Sequence, residues 1–151
     1  MVETVLAYIE QNNQYLLLFR NKKKIDVNKG KWIGVGGHIE KDETPEDALI
    51  REIKEETNLD VLSYFKKGIV YFVYKNITEK MHLYVVDKCS GELGECDEGE
   101  LKFFPKDKLE NLPMWEGDKI FLKYLKENEP YFELELVYDS NDKLISSKRL
   151  K

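Results

Sequence analysis

Residues 34–59, GVGGHIEKDETPEDALIREIKEETNL, set Gly34, Gly36 and Gly37 ahead of three glutamates, Glu52, Glu55 and Glu56. Successive residues of an α-helix advance by about 100°, so a helix here holds the three carboxylates within an arc of about 100°. Like charges at spacings of three and four repel by roughly a few tenths of a kcal/mol per pair. A divalent cation reverses that cost, and ligands that are all oxygen favour a hard ion, Mg2+ or Mn2+, over zinc. The neighbouring glycines leave room for backbone carbonyls or a ligand to approach closely. The bland alternative for any acidic helix is a solvated charged face. Two nucleotide-binding readings of the glycines fail: Ile39 stands where G-x-G-x-x-G needs its third glycine, and the lysine and hydroxyl of a P-loop are missing.

The elements that must position these acids are marked in the chain. Thr44 is suited to cap a helix, with Pro45 at its first position and Asp47 three residues after the cap. The helix is expected to end near Thr57, where Asn58 suits the left-handed terminating position. Leu49, Ile50 and Ile53 fill the arc beside the acids, so one stripe packs on a sheet while the carboxylates project from its edge. Upstream, Val2 to Ile9 and Tyr15 to Phe19 read as a strand pair turning at Gln11-Asn12-Asn13, followed by a basic loop from Arg20 to Lys31. Downstream, strands are expected over Val61 to Tyr74 and Met81 to Val86, with Lys75 to Lys80 as the turn, and at Leu101 to Phe104. Gly91 to Glu100 reads as an acidic loop. Gly117 to Asn128 is helical in spacing, and Phe132 to Tyr138 alternates as a strand before a turn and a last strand. Strands flanking a central helix, with a second helix near the end, predict an α/β sandwich with a mixed sheet.

Composition sets the frame. A chain of 151 residues closes one ordinary core, so a single domain over residues 1–151 is expected. The net charge of −5 argues against a nonspecific nucleic-acid or membrane surface, and a bound polyanion would need local positive charge. No apolar run approaches the roughly 20 residues of a membrane span, and a cytoplasmic protein is expected. Cys89 and Cys96 lack paired spacing and are expected to be free thiols. His38 and His82 have no metal-like spacing, and no nucleophile elbow accompanies the serines.

Gly37, Glu43, Arg51-Glu52-Ile53, Glu55-Glu56 and Asn58-Leu59 stand at the spacings of the Nudix box, and the chain resembles the Nudix hydrolases. Asn58 is the one departure, at a position where the family has glycine. The resemblance implies a strand-loop-helix catalytic unit in an α/β/α sandwich. It implies hydrolysis of a nucleoside diphosphate linked to another group, dependent on Mg2+ or Mn2+. Carried over, Glu52, Glu55 and Glu56 match the metal ligands, with the Gly37 carbonyl a further one, and Glu43 and Arg51 match the pair tying loop to helix. Divalent cations would neutralise the pyrophosphate oxygens and orient water for in-line attack on phosphorus. Glu56 is the first candidate for the carboxylate that takes the water's proton, and Glu98 the second.

Shorter blocks resemble the MutT-type branch that cleaves oxidised purine nucleoside triphosphates: Gly30-Lys31-Trp32, Cys96-Asp97-Glu98 and Met114-Trp115-Glu116-Gly117-Asp118. The resemblance implies that Trp115 stacks on the base and Asp118 bonds its edge, with Trp32 and Ile33 beside it. Stacking on an aromatic ring contributes about 1–3 kcal/mol. Ile33 replaces an asparagine of the branch and Gly117 replaces an acid, which weakens the polar reading of the base. Arg20, with Lys22 or Lys23, is the candidate screen for the phosphates. The expected substrate is a small-molecule nucleotide, with 8-oxo-dGTP among the candidates, and the expected assembly is a monomer or homodimer. The alternatives are another nucleoside diphosphate derivative (a sugar, ADP-ribose or a dinucleoside polyphosphate), or a silent nucleotide-sensing module.

Overall fold

The computed structural model describes all 151 residues. Two strands, β1 (Val2–Gln11) and β2 (Gln14–Arg20), form a hairpin whose central residues Asn12 and Asn13 have φ of 52° and 60°. Two successive positive φ values match the twist of a tight hairpin, and asparagine tolerates them. After a basic loop come two short strands, β3 (Trp32–Ile33) and β4 (Val35–His38). Helix α1 (Pro45–Thr57) follows, then β5 (Asp60–Tyr74), β6 (Ile77–Ser90) and β7 (Gly99–Pro105). A single 3-10 turn, Lys106–Lys108, leads towards α2 (Glu116–Lys126), and β8 (Phe132–Tyr138) and β9 (Leu144–Arg149) close the chain.

The nine strands form one mixed sheet with the order β3-β2-β1-β6-β5-β8-β9, in which β4 also pairs with β1 and β7 with β2. The pairs β1/β6 and β5/β8 are parallel and the others antiparallel. Alternation on β1 sorts the core into two layers. Val5, Ala7 and Ile9 face Ala48, Leu49 and Ile53 of α1, whereas Leu6 and Tyr8 belong to the layer packed on Phe121, Leu122 and Leu125 of α2. The architecture is therefore the expected α/β/α sandwich, with a helix on each face of the sheet. No helix is long and apolar enough to cross a membrane.

Two expectations about local structure change. The glycine-rich stretch, assigned no strand from the sequence, is strand: Trp32–Ile33 pairs with β2, and Val35–His38 crosses to pair with β1. Backbone approach is so close here that side chains beyond glycine have no room, which removes the β-propensity signal a strand normally carries. The β5–β6 turn is two residues, Lys75 and Asn76 at φ 51° and 63°, not six, because Ile77 to Lys80 already pair with Tyr74 to Tyr71.

Helix α1 begins and ends as its residues require. Thr44 Oγ1 accepts the Asp47 amide at 3.1 Å, and Asn58 closes the helix at φ 68° with its N–H on the Lys54 carbonyl. Thr44→Ala is expected to cost about 1 kcal/mol, lowering the melting temperature by about 2–4 °C in a thermal scan.

Candidate active site

Strand β4 fits between β1 and α1 because its two glycines let it. A Cβ on Gly36 would sit 1.9 Å from the Val5 carbonyl oxygen, and one on Gly37 would sit 2.6 Å from Cδ of Glu52. The Gly36 amide donates to Glu56 Oε2 at 3.1 Å, so the last turn of α1 is tied to the strand. Glu56 is only 6 % exposed, and its other oxygen, Oε1, is buried with no hydrogen-bond partner. Burial, then the charges of Glu98 and Glu52, push the Glu56 carboxyl up to about 8.

Arg51 is the brace of the loop between β4 and α1. Its guanidinium donates twice to Glu43, at 2.7 and 2.9 Å, once to the His38 carbonyl at 3.0 Å, and to Glu52 Oε1 at 2.8 Å. The two-pronged contact to Glu43 is the strong geometry for an arginine and a carboxylate. The hydrogen bonds from Arg51 hold the Glu43 carboxyl down at about 2. Burial raises the Glu52 carboxyl against the pull of Arg51. Glu55, at 59 % side-chain exposure, meets the same guanidinium at 3.3 Å from the solvent side.

The loop before β7 brings a third acid. Single ligand atoms of Glu56, Cys96 and Glu98 lie within 4.8 Å of one another. Glu98 accepts from Arg20 Nη1 and from Lys23, both at 2.9 Å, while Arg20 Nε holds Asp26 at 2.7 Å. Crowded carboxylates with a buried oxygen left unpaired are unfavourable alone and suit a divalent cation. Glu52, Glu56 and Glu98 could hold one, and Glu55 lies farther into solvent.

One cleft of about 450 Å3 joins this cluster to an apolar pocket. Gly36, Gly37, Glu52 and Glu98, with Arg20 and Lys23, line one part; Leu6, Ile33, Phe72, Met81, Trp115 and Asp118 line another. Trp115 is 3 % exposed, with edge contacts to Phe72, Tyr74 and Tyr138, and its indole N–H donates to Asn28 Oδ1 at 2.8 Å. The Lys31 ammonium lies 4.3 Å from its ring centre. Trp32 is not part of the lining; its ring packs between Phe19 and Phe104.

Asp118 is almost fully buried, and burial, then the charge of Glu79, push its carboxyl up to about 8 against the pull of Lys31. Burial thus favours its protonated form, which carries a donor for the cleft. Glu79 also lines the cleft and accepts from the Thr4 hydroxyl at 2.8 Å. A carboxyl raised in the fold stabilises it fully below the unfolded value near 3.8, and that contribution is lost as pH rises through about 8. Asp118→Asn is therefore expected to flatten the fall in stability between about pH 4 and 8, read as urea midpoints in chelator.

The structure thus brings Arg20, Lys23, Ile33, Gly37, Glu52, Glu98, Trp115 and Asp118 to one cleft, with Glu56 beside Glu98. Glu43 and Arg51 stand behind it, and Trp32 lies apart. Arg20 and Lys23 are held by Asp26 and Glu98, so the positive charge expected for phosphates is already partly matched. Sequence reasoning missed Thr4, Asp26, Asn28, Phe72, Glu79 and Met81, all in the lining. Thr4, Phe72 and Met81 lie on strands that read as ordinary sheet, with no local signal, and Glu79 fell in the stretch read as a turn; only Asp26-Val27-Asn28, in a polar loop beside Arg20, carried one.

The NUDIX domain model matches residues 2–125. The oxidized purine nucleoside triphosphate hydrolase of Danio rerio is 33 % identical over 128 residues, covering 83 % of this chain and 80 % of that protein. The ADP-ribose pyrophosphatase of Methanocaldococcus jannaschii is 33 % identical over 125 residues, covering 78 % of this chain and 69 % of that protein. A MutT protein from Bacillus halodurans superposes with a TM-score of 0.89 at 24 % identity, over 99 % of this chain and 98 % of that one. The box, the sandwich and these matches agree: the chain belongs to the NUDIX family, as a MutT-like Nudix hydrolase.

Proposed function

We propose that this protein is a Mg2+-dependent pyrophosphohydrolase of purine nucleoside triphosphates, 8-oxo-dGTP among them, releasing the monophosphate and pyrophosphate. Nudix hydrolases generally use divalent metals and act on small-molecule nucleotides. The observation that carries the reading is the single cleft joining the acids Glu52 and Glu98 to an apolar pocket with a buried carboxyl. A triphosphate needs the first and a base needs the second.

When bound, the cation supplies charge neutralisation of the pyrophosphate oxygens and lowers the proton affinity of nearby carboxylates. Arg51, anchored on Glu43, holds Glu52 in place, so that carboxylate would meet the cation without reorganising. Glu56, held by the Gly36 amide, is the first candidate to take the water's proton, and Glu98 the second. Arg20 and Lys23 can exchange their contacts with Glu98 for phosphate oxygens at the rim. At the base end, protonated Asp118 donates and Glu79 accepts, an arrangement that reads both senses of a purine edge. Ile33 adds only apolar contact.

The test is turnover with Mg2+ of 8-oxo-dGTP, an oxidised adenine triphosphate, unmodified triphosphates and ADP-ribose, with product analysis. Pyrophosphate with a monophosphate from purine triphosphates is the expected result. Dominant cleavage of ADP-ribose to AMP and ribose phosphate would replace this reading with the second one, which the archaeal relative favours. Equal rates on 8-oxo-dGTP and dGTP would remove the preference for an oxidised base.

A further inference from the structure

Cys96 is a soft ligand set among hard ones. It is 3 % exposed, its carbonyl accepts from Lys22 Nζ at 2.8 Å, and it forms an isolated antiparallel bridge with Gly99. The loop is thereby pinned with the thiol against the acids, where Sγ and one oxygen each of Glu56 and Glu98 lie within 4.8 Å of one another. The second pointer to a ligand is Glu56 Oε1, buried and without a partner in a side chain more than nine-tenths buried. Cys89, the other thiol, is no part of this cluster.

Carboxylates alone suit Mg2+ or Mn2+, whereas a thiolate shifts a mixed site towards softer ions. Tetrahedral zinc with its usual bond lengths separates its ligand atoms by roughly 3.5 Å. Atoms already within 4.8 Å need to close by little more than about 1 Å, which side-chain rotation supplies. We propose that Glu56, Cys96 and Glu98 form a binding site for thiophilic divalent cations, Zn2+ or Cd2+, with Cys96 Sγ as a direct ligand. Binding breaks the S–H bond, forms the metal–sulfur bond and releases the proton to solvent. A soft ion held there competes for the carboxylates that Mg2+ needs. The inference rests on the reading of Glu56 and Glu98 as cation ligands.

The experiment titrates CdCl2 into the wild type, Cys96→Ser and Cys89→Ser, following the ultraviolet charge-transfer band of cadmium thiolate. Thermal shifts with CdCl2 and MgCl2 are measured in parallel. The wild type and Cys89→Ser are expected to develop the band at one equivalent. Cys96→Ser is expected to lack it and to bind Cd2+ at least about tenfold more weakly, while keeping its Mg2+ thermal shift. Cadmium NMR of the wild type tests sulfur ligation even where Cys96→Ser does not fold. A band that survives in Cys96→Ser, a band lost in Cys89→Ser, or an oxygen-only cadmium signal in the wild type overturns the inference while Mg2+ binding stands. A wild type stabilised by neither ion overturns the carboxylate reading as well.

Discussion

Glu56→Gln is expected to lower triphosphate hydrolysis by about 10²–10⁴-fold while leaving the protein folded. The side chain is tied at one oxygen to the Gly36 amide, and glutamine keeps an oxygen for that bond. Its neutral amide takes the place of a carboxylate that the charges of Glu98 and Glu52 oppose. What is lost is the charge that a cation binds and the base that takes a proton. The raised carboxyl gives the sign of the stability effect. Ionising Glu56 in the metal-free fold is unfavourable between its unfolded value near 4.5 and about 8, so stability falls as pH rises through that window. The variant is therefore expected to melt no lower than the wild type at pH 8 in chelator, and to gain less from added Mg2+. Initial rates on a purine triphosphate, paired with melting scans with and without Mg2+, check both halves. Wild-type turnover in Glu56→Gln would remove Glu56 from both roles.

The acidic helix was legible because its information is local. Thr44, Pro45 and Asp47 at one end and Asn58 at the other mark its bounds, and the spacing of Glu52 and Glu56 sets their side of it. The same periodicity placed Glu55 in the common space, yet Arg51 meets it from the solvent side, a tertiary contact that spacing does not encode. Strand β4 was hidden because its glycines answer to contacts with Val5 and Glu52, distant in sequence. The base end was only half legible. Trp115 and Asp118 stand in one short block, but Phe72, Glu79 and Met81 reach the cleft through pairing of β5 and β6, where every second residue faces the same layer. Arg20 and Lys23 carried the right charge; that Glu98 already binds both depends on a contact across more than seventy residues.

Two neighbouring glycines should separate stability from chemistry. A methyl group on Gly36 would meet backbone, the Val5 oxygen at 1.9 Å and its carbonyl carbon at 2.8 Å, and backbone inside a paired strand cannot rotate aside. Gly36→Ala is expected to part β4 from β1 and break the amide contact to Glu56, costing about 3 kcal/mol and about 6–12 °C in melting temperature. A methyl group on Gly37 would first meet the Glu52 carboxylate, at 2.6–2.7 Å, the far end of a side chain that can swing. Gly37→Ala is expected to stay folded while displacing Glu52, weakening cation binding by about tenfold or more. Urea unfolding in chelator reads the first effect, and Mg2+ titration by thermal shift reads the second. Equal stability of Gly36→Ala and wild type would contradict the β1–β4 register, because no other placement of that strand puts Gly36 against Val5. Equal Mg2+ affinity of Gly37→Ala and wild type would remove Glu52 from the cation site and leave Glu56 and Glu98 to hold it.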